Sequence, residues 1–117
     1  MNNTALIGRL TKEPEINYNV TNDGQLAMAK FTLAVDRPKN REKTDFIRVV
    51  AWGGTAEIIE KYVHKGHRLG VRGHIETGSY QNKEGHTVYT TDVVAEDIDL
   101  LEPKQDNEPQ QESNNGW

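Results

Sequence analysis

Apolar and polar residues alternate with a period of two through much of the first hundred positions, as in strands with one face turned to a core. From 27 to 35, Ala27, Ala29, Phe31, Leu33 and Val35 point one way, and Met28, Lys30, Thr32 and Ala34 the other. From 45 to 52, Ile47, Val49 and Ala51 oppose Phe46, Arg48, Val50 and Trp52. Residues 67–77 repeat the pattern, with Leu69, Val71, Gly73 and Ile75 opposite Arg68, Gly70, Arg72 and His74. An apolar run over 3–10, closed by Lys12-Glu13-Pro14, and a β-rich stretch over 86–95 bring the expected strands to five. Leu100-Leu101 is expected to finish the core. Asn22-Asp23-Gly24 and Asn82-Lys83-Glu84-Gly85 read as tight turns, because Asn, Asp and Gly tolerate positive φ.

One segment changes period. Gly53-Gly54 stop a strand, Thr55 is placed to cap a helix, and Ile58, Ile59, Tyr62 and Val63 follow at helical spacing up to Gly66. Glu57 and Glu60 precede Lys61, His64 and Lys65, an order that complements the helix dipole. The predicted order is β-β-β-α-β-β, all-β with one helix. With Gly8, Gly70 and Gly73 available for sharp strand bends, this predicts a five-stranded Greek-key barrel of the OB-fold type. That fold serves oligonucleotide, oligosaccharide and protein binders alike, so it does not decide function.

Composition adds boundaries. At 117 residues the chain has room for one domain. Without cysteine it can build no disulfide, thiolate metal site or thiol nucleophile. No run approaches a membrane-spanning length, and Met1-Asn2-Asn3-Thr4 does not resemble a secretory signal, so a cytoplasmic protein is expected. The formal net charge of −4 at first disfavours a polyanionic partner. Its distribution weakens that reading. Residues 1–101 hold 13 basic and 14 acidic side chains, whereas 102–117 hold Lys104 against Glu102, Asp106, Glu108 and Glu112. The last stretch has a single apolar side chain, Trp117, and is expected to be a disordered acidic tail outside a domain of residues 1–101.

Catalytic readings find little support. There is no phosphate-binding loop signature, and Gly66, Gly70 and Gly73 do not match the dinucleotide fingerprint. His64 and His67 lack a third ligand, and Asp92, Glu96, Asp97 and Asp99 read as a solvated strand face rather than a Mg²⁺ site. The informative row is Phe46-Arg48-Val50-Trp52, where a half-buried strand should turn polar residues to water. Rings beside a guanidinium suit an unpaired nucleic-acid strand, whose bases stack while its phosphates are neutralised. A register shift burying the rings, or a subunit interface over them, would leave the same pattern. In the loop before that row, Arg37, Lys39, Arg41 and Lys43 occupy every second position and would emerge on one side of a β-ribbon. Tyr80 beside Lys83 offers a further ring, and Arg68 and Arg72 border the same surface.

Several segments in order resemble the bacterial and phage single-stranded DNA-binding protein family. They are Leu6-Ile7-Gly8-Arg9-Leu10-Thr11 with Pro14-Glu15, then Ala29, Phe31 and Leu33-Ala34-Val35. Asp45 through Gly53, Ala56-Glu57, and Tyr62 with Lys65-Gly66 follow. Val71, Gly73, Ile75, Thr77 and Tyr80, then Tyr89, Thr91 and Val93-Val94-Ala95, complete the set. The resemblance implies an OB-fold, usually a homotetramer, that binds single-stranded DNA without strong sequence preference in replication, recombination or repair. It implies no catalysis and no cofactor. Carried over by position, Phe46, Trp52 and Tyr80 would stack on bases. Arg37, Lys39, Arg41, Lys43, Arg48 and Arg72, with Arg9 and Lys12, would meet phosphates, and part of 3–10 would pair between subunits. An RNA-binding OB module and a non-binding oligomerisation or adaptor paralogue are the alternatives. Two departures stand out. The loop around Arg37-Pro38-Lys39 has no aromatic, which makes binding there more electrostatic. The chain ends Asn115-Gly116-Trp117 and not in an acidic run closing on Pro-Phe, so Trp117 is the remaining candidate for recruiting replication and repair proteins.

Overall fold

The computed structural model describes residues 1–101, the side chain of Arg41 excepted; the expected tail of 102–117, Trp117 included, lies outside the described residues. The elements are β1 (Thr4–Leu10), β2 (Glu15–Thr21), β3 (Gly24–Arg37), β4 (Asn40–Trp52), α1 (Gly53–Tyr62), β5 (Arg68–Gln81) and β6 (Thr87–Leu100). The two best alternating segments find each other. β3 and β4 pair antiparallel with Ala29 opposite Ala51, Phe31 opposite Val49 and Leu33 opposite Ile47, so two apolar rows become one wall. β4 then runs parallel to β6, and β6 antiparallel to β5. β5 pairs with β1, and Arg9 and Leu10 of β1 reach Ala34 and Leu33 of β3. Five strands therefore close in the order β1-β5-β6-β4-β3, an OB-fold barrel. Leu10, Phe31, Leu33, Val49, Leu69, Val71 and Val93 fill it, and Ile59 of α1 packs into the same core.

The sixth strand was not expected. β2 carries Glu15, Asn17 and Asn19, poor strand formers, alternating with Ile16, Tyr18 and Val20, of which only Ile16 is partly covered. Its register with β3 explains its existence. Leu10 faces Leu33 and Glu15 faces Lys30, so the first strand advances five residues while β3 advances three. The excess is the bend at Thr11–Pro14, beyond which the chain resumes pairing with β3 alone. β2 is held by backbone pairing, not by burial of its own side chains.

Other expectations shift for equally local reasons. The helix starts two residues before the expected cap Thr55, with Trp52 in the cap position and no side-chain capping bond. Gly53, at φ +61°, lets an extended Trp52 turn directly into the helix. Ala56, Ile59 and Val63 form the buried stripe, while Ile58 and Tyr62 stay exposed, because so short a helix covers the barrel end with one face only. β5 and β6 run past the barrel as a two-stranded arm, so Ile75 is exposed despite its place in the alternation, as is Leu100 at the other end of β6. Of the three strand glycines, two meet backbone. A Cβ on Gly8 would lie 2.4 Å from the Ala34 carbonyl oxygen and one on Gly73 1.8 Å from that of Val94, whereas one on Gly70 would meet only the side chains of Asp99 and Leu101.

Candidate nucleic-acid interface

The outer wall of the barrel is built from β3, β4, β6 and β5, and cross-strand neighbours share its face. Along β4 the outward row is Phe46, Arg48, Val50 and Trp52, as alternation requires, opposite Ala34, Thr32, Lys30 and Met28 of β3. Phe46 is 66% exposed and Trp52 41% exposed, while Val49 and Ala51 between them are fully buried. The rings are about 20 Å apart along the strand, six residues at about 3.4 Å each. Tyr80 lies on the β5–β6 arm opposite Val88, 57% exposed. Strand parity puts it on the same face as His74 and Val94, and hence as Val50. Among the described residues the only ring pair is His64–His67, so Phe46, Trp52 and Tyr80 leave their faces free of one another.

The cations are less free than their spacing suggested. Arg37 forks onto Asp45, with Nε 3.1 Å from Oδ2 and a terminal nitrogen 3.0 Å from Oδ1, and the guanidinium holds the Asp45 carboxyl below its ordinary range. Arg48 Nε stands 3.1 Å from Asp92 Oδ1, an oxygen shut off from water and without a hydrogen bond, so charge alone compensates it. Arg72 pairs with Asp97 and lies 3.7 Å from Asp99, two strands away from β4 beside Thr4 and Ala5. The ribbon of alternating cations is interrupted. β3 and β4 meet at a two-residue turn of Pro38 and Lys39, and the register slips between Asp36 and Arg37, setting Arg37 opposite Asn40 and Asp36 opposite Thr44. Arg37, Lys39 and Lys43 therefore form no single row. Arg9 sits on the outside of β1 and donates to the Gly66 carbonyl at 3.0 Å. Lys12 occupies the bend after β1, exposed.

The acidic cluster is divided among these cations. Asp92 faces Arg48, Asp97 and Asp99 face Arg72, and Glu96 faces His74. His74 Nε2 lies 2.8 Å from Glu76 and Nδ1 2.5 Å from Glu96. Glu76 first, then Glu96, raises its pKa above the ordinary 6.5, and partial burial opposes them. A raised value means the protonated ring stabilises the fold; that gain is full below the unfolded value and is lost as pH rises through the folded one. The thermal midpoint of a His74→Gln variant is thus expected to fall below wild type more at pH 5.5 than at pH 8.5. Equal differences at both pH values would dismiss the coupling.

Alternation turns Lys30 outward, but its place beside the aromatic row becomes visible only when β3 is laid against β4. It is the outward neighbour of Val50, exposed, and faces Glu15 on its other side. Lys12, Lys30 and Arg48 together border a groove of about 620 Å³ between the Thr11–Glu15 bend and the β3–β4 wall. Glu13 of that bend accepts from the Lys65 backbone N–H at 3.0 Å and lies 3.2 Å from His64, contacts that hold its carboxyl below the usual range.

Residues 1–101 match the family described as the single-strand binding protein family. A single-stranded DNA-binding protein of Clostridium perfringens is 46% identical over 102 residues, covering 87% of this chain and 67% of that protein. One from Staphylococcus aureus is 42% identical over 116 residues, 96% of this chain and 72% of that protein. Single-stranded DNA-binding protein 2 of Clostridium acetobutylicum is 49% identical over 105 residues, 87% of this chain and 77% of that protein.

Proposed function

Because the chain belongs to the single-strand binding protein family, we propose that its barrel binds single-stranded DNA, with bases stacked on Phe46, Trp52 and Tyr80. The observation that carries this reading is the outward row of β4. Two rings stand exposed where a strand normally presents polar groups, separated by Arg48 and Val50 on a continuous sheet surface. Stacking accepts every base, since each has a π-face, and so accounts for binding without sequence preference. Arg37 and Arg72 exchange their carboxylate partners for phosphates, Asp92 and a phosphate share Arg48, and Lys12, Lys39, Arg41, Lys43 and Arg9 add positive charge along the path. No step of this is catalytic, and no cofactor is needed.

The reading extends to assembly and place. Residues 1–101 act as the binding domain, and the acidic, polar 102–117 with Trp117 as the segment open to replication and repair proteins. Ile7, 53% exposed on the outside of β1, supports self-association, taken to be a homotetramer. Among the described residues no helix is long and apolar enough to cross a membrane. Binding to strands exposed in replication, recombination or repair puts the protein in the cytoplasm of a bacterium, its own or a phage's host.

The test is a fluorescence titration of a Trp117→Phe chain with oligo-dT, in which Trp52 alone reports. Quenching is expected, with a steep loss of affinity as salt rises, about 0.7 in log–log slope per phosphate contacted. Absence of quenching, or equal affinity for duplex DNA, would remove the proposal. Mass measurement of the same samples gives the assembly state.

A further inference from the structure

The sheet surface between the two rings is electrically lopsided. On one side of Arg48 and Val50, β6 and β5 present Asp92, Glu76 and Glu96. On the other side, β3 presents Lys30 and Thr32, and the bend contributes Lys12 together with Glu13 and Glu15, so cations and carboxylates are mixed there. A phosphodiester passing between a base on Phe46 and a base on Trp52 must take one of these sides. The β6 side already carries the carboxylate that engages Arg48. The β3 side carries the groove, and among the described residues neither of its lysines is held in an ion pair.

We infer that this groove is a phosphodiester subsite, in which Lys30 and Lys12 receive the backbone of the single strand while Val50 supports the nucleotide carried between the two rings. The inference rests on the proposed function and deepens it by giving the strand a side and a lysine. It also gives Arg48 a second partner within reach of its exposed guanidinium, so that Asp92 and the phosphate share it. Glu13 opposes the phosphate, since the Lys65 N–H and His64 that engage its carboxylate keep it ionised. Glu15 opposes it more closely, as the cross-strand neighbour of Lys30. Charge at this edge therefore sets how tightly the groove holds the backbone.

The experiment measures anisotropy of 5′-labelled oligo-dT with the full chain at several salt concentrations. Lys30→Gln is an exposed substitution and is expected to keep the fold. It is expected to weaken binding and to flatten the plot of log affinity against log salt by about 0.7, one phosphate contact on a single strand. Glu15→Gln is expected to move affinity the other way. Lys61→Gln, on the helix, removes the same charge from another part of the surface and is expected to leave the slope at its wild-type value. The inference falls if Lys30→Gln retains the wild-type slope and affinity, or if Lys61→Gln flattens the plot equally, since bulk charge would then suffice. A wild-type chain that failed to bind oligo-dT would overturn the proposed function itself, a result distinguishable from a binding chain indifferent to Lys30.

Discussion

Replacing Phe46 and Trp52 together by Ala is expected to abolish useful affinity for single-stranded DNA while leaving the barrel folded. Each base–aromatic stack is worth about 1–3 kcal/mol, so the pair amounts to about 2–6 kcal/mol, or about thirtyfold to twenty-thousandfold in Kd. The two losses should add, because the rings are about 20 Å apart, beyond the 7–10 Å within which substitutions usually couple. Truncation removes little from the core. Phe46 is 66% exposed, and the buried side of the strand is carried by Val49 and Ala51. Circular dichroism and thermal unfolding are therefore expected near wild type, with Trp52 responsible for most of any change because it is the more covered ring and precedes α1. Measuring the mass of the DNA-free variant separates stacking from self-association. If the face were a subunit interface, the assembly would fall apart without DNA.

The second large effect is on stability. Gly73→Ala would place a methyl carbon 1.8 Å from the carbonyl oxygen of Val94 and 2.8 Å from its carbon. Neither is the end of a flexible side chain, so the β5–β6 ladder must move at the point where its register already slips, between Arg72 and Gly73. A loss of about 3 kcal/mol or more is expected, which for a domain of this size is roughly 12–24 °C in Tm. Gly54→Ala is the matched comparison. A Cβ there meets nothing within 4 Å, and Ala in a helix is favoured over Gly by up to about 1 kcal/mol, so stability should hold or rise slightly. Equilibrium denaturation of both variants checks the pair. Equal stability of the two would mean that the β5–β6 contact yields easily.

Much of this site was legible before any fold was known, and the reasons differ residue by residue. Phe46, Arg48, Val50 and Trp52 could be assigned to one face because side chains in a strand alternate whatever the strand pairs with. The helix could be expected from the change of period after Gly53-Gly54, although its first residue could not, since Gly53 starts it without a capping side chain. β2 was legible too, since Ile16, Tyr18 and Val20 alternate with Glu15, Asn17 and Asn19, and only the tertiary structure shows that it pairs with β3 alone. Ile75 and Leu100 were misplaced because alternation says which face a residue occupies, not whether that stretch of sheet has anything packed against it.

The basic residues show the limit more sharply. Spacing put Arg37, Lys39, Arg41 and Lys43 in alternation, yet the slip between Asp36 and Arg37 and the turn at Pro38 and Lys39 break the row. Arg48 was correctly outward, but the Asp92 that meets it is 44 positions further on and reaches it only because β6 runs parallel to β4. The sequence by itself determined the period of each strand, the face of each ring and the stops at Gly53-Gly54, because these depend on bonded geometry over a few residues. Tertiary structure decided which charges became neighbours. It set Asp92 and Glu76 on one side of the aromatic row and Lys30 with Lys12 on the other, since cross-strand contact depends on register between segments far apart in the chain.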